Sequence, residues 1–462
     1  MTAPLGRIPL SVGELTDEQY GQVIRPGGAE YEAARSVYAG DIDRRPAVIL
    51  RPENATQVAS VVALARETGL ELAIRSGGHS PAGHGVCEGG IVLDLSGMRA
   101  LEIDVEARTA WAETGITAGE YAEAAAEHGL ATGFGDGRLV GVGGITLGGG
   151  IGYLTRKHGM TIDDLLAAEI VTADGERLVV DEHDHPDLFW AIRGGGGNFG
   201  VATRFKFRLH ELDGVYGGMM VTPVTPEILE AFVAEAVAAP EELSTIINVW
   251  TAPPFPFVPA EYHGKPIILA MLCYAGPAEK GEKVIGRFRA IVPPLADMVQ
   301  AMPYTGMFPP VDPLEHPISV SRNMFIDQVD RETAELILER VTASSAMVAG
   351  AQLRVLGGAM ARVPNDATAF AHRQSKIMAH LSAIYADAAE ADVHATWVDE
   401  FMTAMRQSDS GAYVNFIMDV TQEQIRNAVF PGATGERLAQ VKAKYDPTNL
   451  FRSNHNITPA MS

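Results

Sequence analysis

The sequence predicts an α+β protein of two domains, and three features of its 462 residues lead there. Strand-like and helix-like patterns follow one another through the first part of the chain. After about Leu212, prolines begin to separate apolar strands from helical runs, and from Tyr413 onward the earlier character returns. The expected division is a first domain over 1–212, a second over 213–410 built as an antiparallel sheet with helices on one face, and a segment 411–462 that rejoins the first. At 47% hydrophobic residues the chain can fill more than one core.

Each element has its own signal. AVILRPENATQVASVVALARETGLELAIRSGG reads as strand, helix, strand. Asn54 can cap the helix with Gln57 three residues on, as in a capping box, Val58, Val61, Val62 and Ala65 fall on one face, and Gly69 ends it. Apolar strands follow in GIVLDLS and TAWAETG, and the helix AGEYAEAAAEHG closes at Gly129. LAAEIVTADGERLVVD is hairpin-like, with Asp-Gly at its turn. HPDLFWAIRGGGGNFGVATRFKFRL reads as helix, glycine loop and alternating strand. Beyond Leu212, the proline clusters TAPPFPFVP, VPPL and MFPPVDPLEHP separate strands such as KPIILAMLCYAG and QLRVLGGAMARV from helical runs such as ETAELILERVTASS. The chain shows no internal repeat.

Charge excludes several functions. With 58 acidic against 36 basic side chains the formal charge is −22, which disfavours a nucleic-acid groove and an anionic membrane surface alike. Any self-association, a homodimer included, must use a patch depleted in charge. The two cysteines, Cys87 and Cys273, cannot make a disulfide framework, the opening stretch lacks the apolar run of a secretory signal, and a reducing cytoplasm is the default expectation. No apolar stretch reaches the roughly 18 residues of a membrane span.

Several motif readings fail on context. Gly195–Gly200 fits G-x-G-x-x-G, but it follows a helical segment and enters a strand, the reverse of a dinucleotide fingerprint. There is no P-loop. Asp181–His185 reads as a solvated polar turn before Pro186, and His79, His84 and Cys87 lack the spacing of a closed zinc site, so no metal is expected. No serine has a nucleophile-elbow context.

What remains is glycine-rich. Ten of the twenty residues from Gly133 to Gly152 are glycine, interleaved with the apolar anchors Val140, Val142, Ile145, Leu147, Ile151 and Leu154. Backbone without Cβ atoms lets a flat ring or a phosphate approach main-chain N–H groups; tight turns packed on a sheet would use the same residues. RSGGHS, Arg75–Ser80, puts two glycines and a histidine directly after a buried strand, where successive N–H groups can converge on an anion; taken alone, the histidine also fits an ordinary loop. In Y-V-N-F, strand alternation would place Tyr413 and Asn415 on one face and Val414 and Phe416 on the other, and by the same rule Asn454 and Asn456 share a face. A buried tyrosine satisfying its hydroxyl is the plainer alternative.

Together, RSGGHS, V-G-V-G-G-I-T-L-G-G-G-I-G, R-G-G-G-G-N-F-G-V, Y-V-N-F and Y-D-P-T-N-L-F-R-S-N-H-N-I occur in order from about Arg45 to Pro459. In this the sequence resembles the vanillyl-alcohol oxidase/p-cresol methylhydroxylase flavoprotein superfamily, and within it the FAD-linked oxidases similar to berberine-bridge enzyme and 6-hydroxynicotine oxidase. The resemblance implies a p-cresol-methylhydroxylase-type FAD-binding domain beside the substrate domain. It implies FAD bonded covalently through its 8α carbon to His79, with Arg75, Ser76, Gly77, Gly78 and Ser80 in the pyrophosphate turn. It further implies Gly143, Gly144, Gly148, Gly149 and Gly152 along the FAD, Gly200 and Val201 near its adenine end, and Asn454 and Asn456 near the flavin. Bicovalent relatives have a Cys where this chain has Gly137, so a single tether is implied, while Val140 matches a small residue that leaves room for oxygen.

The family places a catalytic or ring-contacting Tyr in Y-x-N. The expected chemistry is therefore hydride removal from an alcohol or amine carbon of a small organic substrate. Tyr413, its pKa lowered by polar neighbours including Asn415, takes the O–H or N–H proton, and O2 reoxidises the flavin to give H2O2. A dehydrogenase with another acceptor, or a non-catalytic flavin-dependent protein that sequesters a ligand, shares these motifs. Trp250, Tyr274, Arg322, Asn323 and Gln352 are substrate-domain candidates equally explicable as core or surface.

Overall fold

The structure is a computed structural model that describes residues 11–308, 316–418 and 421–461. The first ten residues of the opening stretch, and 309–315 of the MFPPVDPLEHP cluster, lie outside the described residues.

A four-stranded sheet comes first, in the order Gln22–Ile24, Val48–Arg51, Ile91–Asp94, Leu72–Arg75, with the last three strands parallel. The helix Ala55–Thr68 packs its Val58, Val61, Val62 and Ala65 face between this sheet and Val171 and Val201 of the next. Its N-terminus is capped as the sequence indicates, Asn54 Oδ1 accepting from the N–H groups of Thr56 and Gln57, and Gly69 ends it at φ +69°. The reciprocal half of the capping box is displaced by one residue, because Gln57 Oε1 accepts from Glu53 N rather than from the cap.

The second sheet is antiparallel, in the order Leu101–Asp104, Thr109–Glu113, Val201–Arg208, Leu165–Val171, Arg177–Val180. Its inward positions Ala112, Ala168, Phe205 and Phe207 form one core with Tyr121, Phe134 and the helices Pro186–Ile192 and Ala433–Tyr445. The C-terminal helix thus returns to the N-terminal part of the fold.

The third sheet has eight strands. Its main path runs Ala296–Asp297, Val215–Pro223, Pro266–Tyr274, Leu243–Thr251, Val348–Val355, Ile377–Tyr385, Ile318–Ile326, and all its pairings are antiparallel. One face, with Ile247, Val249, Leu353, Ala379 and Leu381, is covered by the helices Pro226–Ala238, Ala278–Ile291, Arg331–Ala343 and Ala391–Ala404. Residues paired across neighbouring strands share a face, so Asn248, Gln352, His380 and Asn323 form a polar row on the opposite side.

Buried polar contacts lock the parts together. The Arg156 guanidinium donates to the carbonyls of Ala236, Ala239 and Leu243 at 2.8–3.0 Å, which caps the C-terminal end of the helix Pro226–Ala238. The fully buried Arg373 grips Asp163 at 2.7 and 2.8 Å. Among the described residues no helix is long and apolar enough to cross a membrane.

Candidate functional site

A cavity of about 450 Å³ lies where the sequence-distant glycine segments meet. Its wall includes Arg75, Ser76, Gly77, Gly78, His79, Ser80, Val140, Gly143, Gly144, Gly200, Val201, Tyr413, Asn415 and Asn454. Gly148, Gly149, Gly152 and Asn456, expected beside the cofactor, are not in it.

The RSGGHS turn leaves the strand Leu72–Arg75 with Gly78 at φ +70°, a conformation that excludes most side chains. A Cβ on Gly77 would overlap the main chain of Gly141, so the turn and the loop before the helix Val142–Gly148 interlock backbone to backbone. Ser76 Oγ fastens them, donating to Thr114 O at 2.5 Å and accepting from Gly143 N at 3.2 Å. Arg75 reaches the wall, but its guanidinium is committed to buried Asp94 at 2.8 Å. His79 stacks on Tyr38, ring centroids 4.8 Å apart, and burial, with the His316 ring beside it, holds its pKa down at about 4. The imidazole is therefore neutral at physiological pH, with a nitrogen lone pair available for bonding.

The opposite part of the wall departs from the strand reading. Residues 414–416 form a turn of 3-10 helix, closed by Phe416 N to Tyr413 O at 3.1 Å. Tyr413 and Asn415 still meet, because Asn415 folds back and donates Nδ2–H to the Tyr413 hydroxyl at 2.9 Å. Gly150 N–H donates to the same oxygen at 2.8 Å. Phe416, expected to pack away from the pocket, lines it.

Here the three glycines that miss the wall find their use. Gly148 leaves room for the Asn415 amide, Gly149 at φ +132° lies against the Tyr413 ring, and Gly152 packs on the backbone of Gly135. The expected lowering of the Tyr413 pKa is also corrected: burial dominates and raises it, and the donors from Gly150 and Asn415 offset only part of that rise.

The C-terminal wall is not a strand either. Asn454 donates to Gly197 O and Phe451 O at 3.1 and 3.2 Å, while its Oδ1 is buried without a partner among the described residues. Asn456 is not in the wall, and its Oδ1 is likewise buried without a partner among the described residues. Sequence reasoning missed the residues that hold this segment in place. Buried Asn198 donates to Gly195 O and His455 O and accepts from Ile457 N. Lys442 Nζ donates to Asn198 O, Phe451 O and the Asp446 carboxylate at 2.6–2.8 Å, with neither Lys442 nor Asp446 exposed at all. The four-residue spacing of Lys442 and Asp446 on a helix was the available signal.

Of the substrate-domain candidates, Tyr274 is in the core, Trp250 stands in the sheet away from the cavity, and Arg322 pairs with exposed Asp399. Asn323 Oδ1 accepts from Tyr413 N at 2.6 Å, and Gln352 donates to Asn248 Oδ1 and accepts from Arg354 Nε, both at 2.9 Å.

These residues fit FAD. A Cβ at Gly144 or Gly197, both in the wall, would meet no protein atom within 4 Å. The carbonyl of Asn454 awaits a donor. Among the described residues the wall holds no lysine, and its arginines, Arg75 and Arg138, pair with Asp94 and Glu123, so a pyrophosphate there would rest largely on main-chain N–H groups.

Comparison with known proteins agrees. Residues 46–181 match the FAD binding domain model, and residues 412–458 match the model described as berberine and berberine like. The chain is similar to an FAD-linked oxidoreductase of Dictyostelium discoideum, 30% identical over 457 residues and 97% of each chain. It is equally similar to (R)-6-hydroxynicotine oxidase of Paenarthrobacter nicotinovorans, 30% identical over 457 residues, covering 95% of this chain and 97% of that one. The crystal structure of 6-hydroxy-D-nicotine oxidase from Arthrobacter nicotinovorans matches with a TM-score of 0.85 at 27% identity, over 95% of this chain and 98% of that chain. With fold, motifs and relatives in agreement, the chain belongs to the berberine-bridge-like FAD-linked oxidoreductases, with their two-domain p-cresol-methylhydroxylase-type fold.

Proposed function

We propose that this chain is an oxidase that carries FAD covalently on His79, removes hydride from an alcohol or amine carbon of a small organic or secondary-metabolite substrate, and delivers the electrons to O2 as H2O2. The observation that carries the reading is that His79, Val140, Tyr413 and Asn415 share one cavity wall although they come from segments far apart in the chain. FAD, when bound, supplies the hydride acceptor. The rest falls to the protein. The neutral His79 ring has the lone pair that a bond to the 8α carbon needs. The Tyr413 oxygen accepts the O–H or N–H proton of the substrate, and the N–H groups of Gly150 and Asn415 stabilise the charge that this oxygen carries beforehand. Loss of that proton, together with hydride from the adjacent carbon, turns an alcohol into a carbonyl and an amine into an imine.

The test begins with acid-precipitated, unfolded protein, which should stay yellow and show a flavin mass increment on the peptide containing His79; a colourless pellet removes the tether. A substrate screen by peroxide release follows. Slow reoxidation of the reduced enzyme in air would replace the oxidase with a dehydrogenase, and absence of flavin bleaching by any bound candidate would replace it with a ligand-sequestering protein.

A further inference from the structure

The cavity wall offers an anion main-chain donors but, among the described residues, no unpaired cation. In the turn after the strand Leu72–Arg75, the N–H groups of Gly77, Gly78, His79 and Ser80 have no acceptor among the described residues, so four successive donors stand open in the wall. The two arginines of the wall are committed to Asp94 and Glu123.

What lines the same space is a pair of imidazoles. His84 and His455, from distant parts of the chain, are both in the wall and both part-exposed, and their rings meet edge to face with centroids 4.6 Å apart and planes at 84°. His84 Nδ1 lies 3.4 Å from the Ser80 hydroxyl, which ties the ring to the turn of open N–H groups. Asn198 Nδ2 holds the His455 main chain by its carbonyl at 3.2 Å, and the His455 ring donates to the Val414 carbonyl. Burial keeps both rings neutral, with pKa values of about 3 for His84 and about 4 for His455. The charge that a proton on His455 would carry depresses His84 further, as does the Arg44 guanidinium, which donates to the Gly83 and Val86 carbonyls on either side of His84. The other titratable groups around the pair are His79, with His316 beside it, and the Arg75–Asp94 ion pair, whose carboxylate is already shared between Arg75 and Arg51. Nothing among them supplies the imidazoles with a counter-charge.

We propose that His84 and His455 form a proton-coupled seat for the anionic stretch of the dinucleotide: as its diphosphate settles on the N–H groups of Gly77–Ser80, the imidazole pair takes one proton from solvent and supplies the missing positive charge. This deepens the reading of the cavity as an FAD site and rests on it. The diphosphate diester keeps both negative charges between pH 6 and 8, and oxidised FAD carries no other charge in that range, so a proton gained on binding enters through the protein. Two negative charges in a cavity poor in water favour the imidazolium and oppose the effect of burial. The same short separation that lets the rings touch makes two positive charges repel, so the pair takes up one proton and not two.

His79→Ala removes the tether and makes FAD binding reversible. Calorimetry in buffers of different ionisation enthalpy then counts protons: an uptake of about one per FAD at pH 7 is expected, with affinity rising by up to about tenfold for each unit fall in pH between 8 and 6. H84Q/H455Q in that background keeps polar side chains of similar reach that do not titrate, and should bring the uptake close to zero and weaken FAD about tenfold at pH 7. Where the double variant does not fold, or the untethered protein does not hold FAD, nitrogen-15 spectra of the histidine rings in the flavin-loaded parent decide. One ring still protonated at pH 7.5, and neutral in the flavin-free protein, is expected. No proton uptake, uptake that survives the double variant, or the absence of such a ring overturns the proposal. A parent protein that neither carries nor binds FAD shows itself as colourless before any titration, and overturns the underlying reading together with the seat.

Discussion

At Tyr413 two opposing effects meet on one oxygen. Donors from Gly150 and Asn415 favour the phenolate, but complete burial raises the pKa above its ordinary 10. The deprotonated fraction therefore grows about tenfold per pH unit throughout the neutral and alkaline range. The anaerobic rate of flavin reduction is expected to climb with pH past 9, and Tyr413→Phe should remove that dependence and slow reduction by about 10²–10⁴. Stopped-flow measurement on both proteins checks it; a flat profile in the parent removes Tyr413 as the base. The Y-x-N spacing made the pair legible, whereas the direction of the pKa did not follow from it, because burial belongs to neighbours such as Met160 and Phe370 that other segments supply. Lys442 gives a similar lesson. Its spacing to Asp446 reads as a surface pair, yet both are fully buried and anchor the loop that carries Asn454. Lys442→Met should cost about 3–5 kcal/mol by leaving Asp446 uncompensated, measured as a lower urea midpoint with loosened flavin retention.

Among the elements, the glycine loops separate into two classes that composition alone cannot tell apart. Gly77 is glycine because the protein fills the space beyond it, and Gly144 because the protein leaves that space open. Gly77→Ala should therefore lower the melting temperature of the protein with and without flavin. Gly144→Ala should leave the flavin-free melting temperature unchanged and weaken FAD retention, and equal behaviour of the two variants would contradict this division. The helix and strand signals of the first domain were carried by caps and periodicity, and the helix Ala55–Thr68 follows them closely. The segment 413–416 did not, since a polar–apolar alternation specifies a strand only where a neighbouring strand offers its edge, and here local i to i+3 bonds take its place. Arg156 was invisible for another reason: its acceptors are carbonyls in a different part of the fold. Arg156→Met leaves those carbonyls without a donor and should cost about 3 kcal/mol in urea unfolding.

For the molecule as a whole, buried imidazoles set the response to acid. His84 and His158 are held near pKa 3, and His380 and His455 near 4, chiefly by burial. In the unfolded chain each would bind its proton near pH 6.5. The unfolded state thus takes up more protons through the interval between, so stability is present above pH 6.5 and is lost as pH falls from there toward 4. Urea midpoints at pH 7 and pH 5 should show this decline, and an unchanged midpoint would count against it. The order of motifs along the chain made the general architecture legible; which polar groups share the face of the large sheet opposite its helices depends on strand register, which no local pattern encodes. One property of the cavity reaches back to biosynthesis. Its wall joins Arg75–Ser80 to Ser453–His455, so it is complete only once the ribosome has passed residue 455 and that stretch has docked. A cofactor that needs the whole wall is consequently captured by the folded chain and not by its N-terminal half alone.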